Sequence, residues 1–364
     1  MSNQKIKIAV AISGGVDSSV SAWLLKKQGY DVEGFFIKFW KENNCCDDDE
    51  SLKNAKAVAE KIGMPFHVID AEKIFKKIVV DDFIQEYKNL RTPNPCVVCN
   101  KFIKFGWFLE FALKSGFDKI ATGHYAEIKK DKQNVFHLYS GKDETKDQSY
   151  FLHRLNQKQL EKIIFPVGGM DKKEVCKIAK AKNIFPKNKK ESQEICFIQD
   201  DYREFLKRNL PKNCFAEGDI INQKKETVGK HFGLINYTIG QRKGIFQNKI
   251  KNENKKPLYV VGFGKKKNKL IVGPEKNIFS SGLVLENIFW TSPAAEKKAQ
   301  ENKSLTVKIR YRHKAVLCAL QTEKNKKMKI IFKIPQRAVT PGQSAVIYSG
   351  REVLGGGIIK QRIS

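Results

Sequence analysis

A glycine-rich loop near the N-terminus, Ala11–Ser19 with the sequence AISGGVDSS, places the strongest constraint on this chain. It lies between an apolar segment typical of a strand and an amphipathic segment typical of a helix. Two glycines let the backbone approach an anion, and the serine hydroxyls and helix-start N–H groups supply donors. No lysine follows the glycines at Walker A spacing, so the loop predicts another type of phosphate site. An ordinary strand-to-helix turn with a serine cap is the alternative.

The first part of the chain alternates between strand-like and helix-like patterns. From Ile6 to about Asp200 this alternation indicates a parallel α/β sheet. Helical spacing occurs at Ser18–Lys27 and Ser51–Ile62. The expected strands are Ile6–Ile12, Val32–Phe39, Phe66–Ile69 and Lys119–Thr122.

After about Phe205 the pattern changes to short β-type segments. A small central β domain is expected to contain strands at Leu258–Phe263 and Leu270–Val272, with an exposed loop at Gln247–Lys256. A last, barrel-like β domain is expected to follow. Its predicted strands are Leu305–Arg310, Lys329–Ile334 and Ser344–Tyr348. We therefore predict an α/β catalytic domain at 1–205 and two small, mainly β domains at 206–278 and 279–364.

The charge of the chain favours a polyanionic partner. Lys and Arg total 68 against 39 Asp and Glu, a formal net charge of +29. Such an excess favours nucleic acid through counterion release, although a solvated lysine-rich surface is the plain alternative. The N-terminus is short and polar, and no segment approaches the roughly 18 apolar residues of a membrane span. We expect a cytoplasmic protein whose cysteines are reduced thiols.

Three of the eight cysteines stand out by their context. Cys96 and Cys99 form a CxxC pair after a proline-stiffened turn, which is compatible with a redox pair, half a zinc site or chance. Cys196 lies between Ile195 and Phe197, where a buried core cysteine is the plain alternative. The adjacent pair Cys45-Cys46 indicates a solvated loop, with metal binding as the alternative.

A series of short motifs runs in order from about Lys5 to Lys360. They are the phosphate loop, TPNPCVVCN at 92–100, ATGHYA at 121–126, KDQSYFL at 146–152, FPVGGM at 165–170, ESQEICFI at 191–198, NYTIGQRKG at 236–244 and PGQSAV at 341–346. Together they resemble the tRNA-specific 2-thiouridylases, or tRNA-uridine 2-sulfurtransferases, of the ATP-pyrophosphatase (PP-loop) superfamily.

The resemblance implies a PP-loop domain like that of the adenine nucleotide α-hydrolases. Such enzymes cleave ATP between the α and β phosphates, and a magnesium ion is expected near Asp17. The backbone near Ile37 and Gly123 is expected to contact the nucleoside. The expected ATP-binding loop residues are Ala11, Ile12, Ser13, Gly14, Gly15, Val16, Asp17 and Ser18.

The resemblance also assigns the substrate side of the site. Cys99 corresponds to the first catalytic cysteine and Cys196 to the one that carries a persulfide, with a Cys99–Cys196 disulfide forming in turnover. Asn94, Pro95 and Cys96 align with the segment that meets the target base. The positions that match tRNA contacts are His124, Lys146, Asp147, Gln148, Arg310, Tyr311 and Gln343. On its residues alone, His124 also suits a structural role, and the segment from Arg310 to Lys314 also suits a solvent-facing strand.

Cys96 departs from the pattern of many family members, which have Asp there. A thiol titrates near pH 8.5 and a carboxyl near 4, so the acid-base role of this position stays open. Cys96, Cys99 and Cys196 could alternatively hold three corners of an iron–sulfur cluster.

The function implied by the resemblance is ATP-dependent 2-thiolation of the wobble uridine of tRNA, with release of pyrophosphate and AMP. The expected partners are the tRNA anticodon loop and a persulfide donor, such as a cysteine desulfurase or a sulfur-relay protein. We expect a monomer with no membrane attachment. Two other functions compete: a small-molecule ligase or amidotransferase of the same superfamily, and a non-catalytic RNA-binding protein with a vestigial loop.

Overall fold

The computed structural model describes residues 5–42, 47–184, 195–245, 257–322 and 328–363. Over these ranges the chain forms an α/β unit followed by two β units, which confirms the predicted fold class. The predicted loop Gln247–Lys256 and the Cys45-Cys46 pair lie outside the described residues. None of the helices within these ranges is long and apolar enough to cross a membrane.

The α/β unit is organised around a parallel sheet. Its strands and an associated hairpin are β1 (Lys7–Ala11), β2 (Asp31–Lys38), β3 (Phe66–Asp70), β4 (Lys119–Ala121), β5 (Ala126–Lys130), β6 (Phe136–Ser140) and β7 (Ile163–Ile164). In the described sheet the order is β3-β2-β1-β4-β7. β1 pairs in parallel with β2 on one side and with β4 on the other. The chain therefore leaves β1 and β4 in opposite directions, and this opens a ligand-binding crevice at their carboxyl ends.

Helices cover both faces of this sheet. They are α1 (Val16–Lys27), α2 (Asp47–Ile62), α3 (Glu72–Phe75), α4 (Asp81–Lys88), α5 (Pro95–Val98), α6 (Phe108–Lys114), α7 (Gln157–Glu161), α8 (Lys172–Ala181) and α9 (Tyr202–Asn209). On one face, Ile8 and Val10 of β1 pack with Leu25 of α1. On the other face, Ala9 packs with Ala112 of α6. This arrangement follows from the alternation of side chains along a strand.

A continuous helix carries the CxxC pair. α5 runs through a π-helical segment, Cys99–Trp107, directly into α6. Pro95 occupies the first turn, where its missing N–H leaves no hydrogen bond unmade. Phe105 and Phe108 bury one side of the helix in the core, so its orientation is set by packing.

The central unit is a small sheet made from β8 (Glu217–Ile221), β9 (Thr227–Phe232), β10 (Tyr259–Gly264) and β11 (Lys269–Gly273). The described strands lie in the order β10-β11-β8-β9. β10 and β11 confirm the two predicted strands of this unit and pair antiparallel. Ile220, Val260 and Leu270 are fully buried and form its core.

The C-terminal unit is a closed barrel. It contains β12 (Phe279–Trp290), α10 (Pro293–Glu301), β13 (Leu305–Lys308), β14 (Val316–Thr322), β15 (Met328–Arg337), β16 (Ser344–Ser349) and β17 (Glu352–Ile363). Closure occurs because β12 pairs with both β15 and β17. Leu285, Val307 and Ile347 lie inside the barrel and are fully buried.

The barrel and the α/β unit share a sheet. The hairpin β5–β6 of the α/β unit pairs antiparallel with β17 of the barrel, with Tyr139 opposite Glu352 and Leu138 opposite Val353. Leu138 and Val353 belong to the core cluster of the α/β unit. Because main-chain hydrogen bonds and apolar contacts both cross this boundary, the barrel has a defined position beside the crevice.

Candidate active site

The phosphate loop lies between β1 and α1, as the sequence predicted. Gly14 has a φ of +69°, and α1 begins at Val16 rather than at Ser18. The Ser18 hydroxyl accepts a hydrogen bond from the Ser13 amide at 3.2 Å and donates one to the Gly15 carbonyl at 3.1 Å. Helix α1 therefore begins directly after the loop at the carboxyl end of β1, and a helix N-terminus is a favourable position for an anion.

Gly14 in this loop and Gly123 beside it each lie too close to another part of the chain to carry a side chain. A Cβ on Gly14 would lie 2.3 Å from the Ser51 carbonyl oxygen of α2. A Cβ on Gly123, which follows β4, would lie 2.6 Å from the Ser18 amide nitrogen. The loops after β1 and β4 thus meet at the crevice.

Ile37 is at the same edge of the sheet. It lies two positions beyond Phe35, whose carbonyl accepts the Ile12 amide at 2.8 Å. The predicted nucleotide-binding residues Ala11–Ser18, Ile37 and Gly123 are therefore neighbours in the fold.

Asp17 has two partners that the sequence analysis did not identify. Its Oδ1 accepts a hydrogen bond from the Tyr125 hydroxyl at 2.8 Å. The Lys172 ammonium lies 2.7 Å from Oδ1 and 2.9 Å from Oδ2. Tyr125 belongs to the ATGHYA motif, so a signal for it was present, but spacing alone did not relate it or Lys172 to the loop.

The structure brings the candidate cysteines into one region. Cys96 is exposed and Cys99 is buried on the same helix, while Cys196 is exposed in a turn. Cys99 packs in one apolar cluster with Phe197 and Ile198, the residues that follow Cys196.

This apolar cluster adjoins the carboxyl end of β2. Phe39, just past β2, lies 4.9 Å from the Phe75 ring, and Phe75 lies 5.8 Å from the Phe197 ring. The segment that holds Cys196 therefore packs at the same edge of the sheet as the phosphate loop.

The protein environment disfavours all three thiolates. Burial raises the pKa of the Cys99 thiol to about 12, and that of Cys196 to about 11, with Cys96 as a further cause for both. Burial also raises the pKa of Cys96. Part of the Cys96 and Cys196 residues is exposed to water, but many protein atoms surround each thiol. This partial desolvation disfavours the thiolate and raises the pKa of both residues. The positive charge of Lys104 acts in the opposite direction and lowers the pKa at all three cysteines, but it does not outweigh burial.

The iron–sulfur alternative is not supported by this arrangement. Among the residues that the structure describes, no group of three or more His, Cys, Asp or Glu side chains is placed to hold a metal ion. Cys96, Cys99 and Cys196 share a region without forming such a group.

The predicted base-binding segment is held by the barrel. The Asn94 side chain hydrogen-bonds the Tyr150 hydroxyl, which donates to the Ser344 carbonyl at 2.9 Å. The Gln343 amide donates to the carbonyl oxygens of Thr92 at 2.9 Å and Pro93 at 3.1 Å. Pro95 is buried directly beyond this contact.

The central unit reaches the same segment. The hydroxyls of Thr92 and Thr238 lie 3.3 Å apart. All three units therefore meet immediately before Cys96.

The predicted tRNA-contacting residues around β5 mostly bond within the protein. His124 is 8% exposed, its Nδ1 lies 2.7 Å from the Thr122 hydroxyl, and burial holds its pKa well below 6.5. Asp147 is 5% exposed and accepts from Lys308 of the barrel at 3.0 Å. Gln148 accepts from the Tyr125 amide at 3.0 Å, and Lys146 is half-buried beside it. Their contacts with tRNA stay predictions.

Three of the predicted residues, Arg310, Tyr311 and Gln343, belong to the barrel. Arg310 donates to the Arg337 carbonyl at 2.7 Å within the barrel and lies close enough to Tyr150 of the α/β unit to interact electrostatically with it. The Tyr311 ring lies 4.3 Å from the Phe151 ring. Gln343 lies at the same boundary, so the predicted tRNA-contacting residues gather where the barrel meets the α/β unit.

Comparison with protein-family models matches the entire architecture. Residues 6–200 match a "tRNA methyl transferase HUP domain", residues 203–274 a "tRNA methyl transferase PRC-barrel domain" and residues 280–359 an "Aminomethyltransferase beta-barrel domain". The predicted domain boundaries themselves stay predictions.

Curated relatives match over nearly the full length. A tRNA-specific 2-thiouridylase of Geobacter metallireducens is 42% identical over 365 residues, which cover 97% of this chain and 96% of the relative. One of Limosilactobacillus reuteri is 42% identical over 371 residues, covering 100% and 97%. A solved 4-thiouridine synthetase–RNA complex with bound ATP is 18% identical over 57% of this chain and 50% of that one, and its TM-score of 0.31 is too low to support an inference. The chain belongs to the tRNA-specific 2-thiouridylases, a family of tRNA sulfurtransferase enzymes.

Proposed function

We propose that this enzyme adenylates the C2 oxygen of the wobble uridine in tRNA with ATP and then replaces that oxygen with sulfur. The uridine O2 attacks the α-phosphorus and expels pyrophosphate. A persulfide on Cys196 supplies sulfur to C2, and AMP leaves with the former O2. Adenylation is needed because the carbonyl oxygen by itself is a poor leaving group.

The phosphate loop supports the first step. Its backbone leads directly into α1, whose N-terminus favours an anion, and the absence of a side chain at Gly14 lets the loop pack closely against α2. The N–H groups of a helix N-terminus stabilise the charge that develops on departing pyrophosphate. The carboxylate of Asp17 fits Mg²⁺, a hard cation that prefers oxygen ligands, and the ion would neutralise phosphate charge when bound.

The observation that carries the proposal is the packing of Cys99 in one cluster with the segment that follows Cys196. These cysteines are far apart in sequence, and packing together lets their sulfurs act in one reaction. A persulfide is more acidic than the Cys196 thiol and is therefore the better nucleophile at neutral pH. After its outer sulfur has bonded to C2, Cys99 attacks the Cys196 sulfur. This step leaves the thiolated base and a Cys99–Cys196 disulfide, which an external thiol reduces.

The basic chain and its barrel support an RNA substrate. A net charge of +29 favours tRNA through counterion release. A base reaches a recessed site most readily from a single-stranded loop, and the anticodon loop meets this requirement. A cysteine desulfurase or sulfur-relay protein is the proposed donor, and the monomer is the proposed working form.

The test is thiolation of tRNA by the full chain with ATP and a persulfide donor. We expect Cys99→Ser and Cys196→Ser each to abolish 2-thiouridine, measured by mass spectrometry of digested tRNA. Cys214→Ser, in the central unit, serves as the matched control and should retain activity. Retained thiolation in both active-site variants would show that the cysteine mechanism is wrong.

The same assay separates the competing functions. A small-molecule ligase would turn over fully with a small acceptor and no RNA. A non-catalytic RNA-binding protein would bind tRNA in a salt-sensitive manner without cleaving ATP.

A further inference from the structure

Lys172 reaches the phosphate loop from a separate element. It is the first residue of α8, where Asp171 and Glu174 form a capping box. The Lys172 amide donates to the Asp143 carboxylate at 3.0 Å, so the base of the side chain is anchored. From there the ammonium reaches both carboxylate oxygens of Asp17 on the neighbouring helix α1.

The ion pair is open to a ligand. The Lys172 and Asp17 side chains are 17% and 31% exposed, so water reaches both. Asp17 stands in the first turn of α1, which places the ammonium at the helix start where the loop donors converge. Helices α1 and α8 already pack together through the buried residues Val20, Val175 and Ala179, so they do not need this ion pair to hold them in place.

We propose that Lys172 is a phosphate ligand of the PP loop that rests on Asp17 in the nucleotide-free protein and moves to the pyrophosphate portion of ATP. This inference rests on the proposed function and adds a residue to its phosphate site. The loop lacks the lysine of a Walker A motif, and Lys172 supplies the equivalent ammonium from α8.

Electrostatics favours the transfer of the ammonium. Pyrophosphate carries several negative charges, so it competes effectively with one carboxylate for a cation. The flexible four-carbon stem of lysine lets the ammonium move while α8 stays in place. Release of Lys172 would free Oδ2 of Asp17 for Mg²⁺, while Oδ1 keeps the hydrogen bond from the Tyr125 hydroxyl.

Binding of inorganic pyrophosphate and of AMP to the full chain, without tRNA and with EDTA present, tests the proposal by calorimetry. We expect Lys172→Met to weaken pyrophosphate binding about tenfold to a hundredfold, as for loss of a charged hydrogen bond. The affinity for AMP should stay within about twofold of the wild-type value, because Lys172 contacts the pyrophosphate portion of ATP and not the AMP portion. Lys172→Arg should retain most pyrophosphate affinity.

The matched control is Lys173→Met, which removes the same charge from the adjacent, exposed position. It should leave pyrophosphate binding unchanged. Asp17→Asn removes the competing carboxylate, so it should tighten pyrophosphate binding more in the wild-type background than in the Lys172→Met background.

Two results would overturn the inference in distinguishable ways. Equal pyrophosphate affinity in Lys172→Met, Lys173→Met and the wild type would show that Lys172 only braces Asp17, while the proposed function would stand. Absence of both pyrophosphate and AMP binding in the wild type itself would remove the nucleotide site and the proposed function together.

Discussion

The side-chain amide of Gln343, on the barrel, donates a hydrogen bond to the main-chain carbonyl of Thr92 at 2.9 Å. Thr92 lies four residues before Cys96 in the chain. Gly342, the residue before Gln343, has a φ of +93°, and a Cβ there would lie 2.8 Å from the Thr92 nitrogen. The barrel therefore contacts the main chain of the predicted base-binding segment, so a displacement of the barrel would move this segment.

Gln343→Ala should lower the rate of thiolation more than it lowers tRNA affinity. The change removes hydrogen bonds to Thr92 and Pro93, which together contribute about 1–3 kcal/mol to the position of the segment. Filter binding of tRNA and single-turnover thiolation measure the two effects. Gln361→Ala, exposed on β17, is the control. A loss confined to tRNA affinity would instead assign Gln343 to direct RNA contact.

Gly14→Ala should abolish ATP binding. The added methyl group would lie 2.3 Å from the Ser51 carbonyl oxygen, and the φ of +69° disfavours alanine as well. Gly29→Ala is a matched control because Gly29 also has a positive φ, +89°, but no atom within 4 Å of the added group. It should cost about 1 kcal/mol of stability and leave ATP affinity unchanged. Equal ATP affinity in both variants would show that the loop does not approach the phosphates.

Alkylation of the Cys196 thiol should keep rising with pH well beyond the range of an ordinary cysteine. Burial raises its pKa to about 11, and only the thiolate reacts. Site-resolved mass spectrometry with iodoacetamide should show an increase of about tenfold per pH unit from pH 7 to pH 10. A cysteine peptide, which titrates near pH 8.5, should level off in this range. A plateau for Cys196 near pH 9 would contradict the raised pKa.

The docking of the barrel should weaken at high pH through His137. Burial lowers the pKa of His137, but its hydrogen bonds to Asp131 and to Glu352 of the barrel outweigh burial and leave it raised. Protonated His137 therefore stabilises the fold below the unfolded pKa near 6.5, and this contribution is lost as pH rises through the folded pKa.

The free energy of unfolding from urea titrations measures this effect. His137→Gln should cost about 1 kcal/mol at pH 6 and less at pH 9. His231 is the control with the opposite sign, because burial lowers its pKa. The free energy of unfolding of the wild type should therefore increase relative to that of His231→Gln as pH rises. A pH-independent effect of His137→Gln would contradict the assignment.

Local interactions made much of the molecule predictable from sequence. The alternation along β1 and β2 and the glycine–serine loop before α1 depend on backbone conformation and on contacts between near neighbours in the chain. The orientation of the helix that carries Cys99 could not be predicted from sequence. It depends on Phe105 and Phe108, which pack against strands distant in sequence. The family motifs identify Cys99 and Cys196, but a sequence motif gives no information about the distance between the two cysteines in the fold.

The sequence alone determined the fold class, the phosphate loop and the residues of the family motifs, because these depend on short-range periodicity and residue identity. Only the tertiary structure decided that Lys172 reaches Asp17 across 155 positions of sequence, that Gln343 holds Thr92 across 251, and that the β6 strand joins the barrel. Contacts of this kind form when loop closure and core packing bring distant segments together, and a linear pattern carries no information about which distant segments meet.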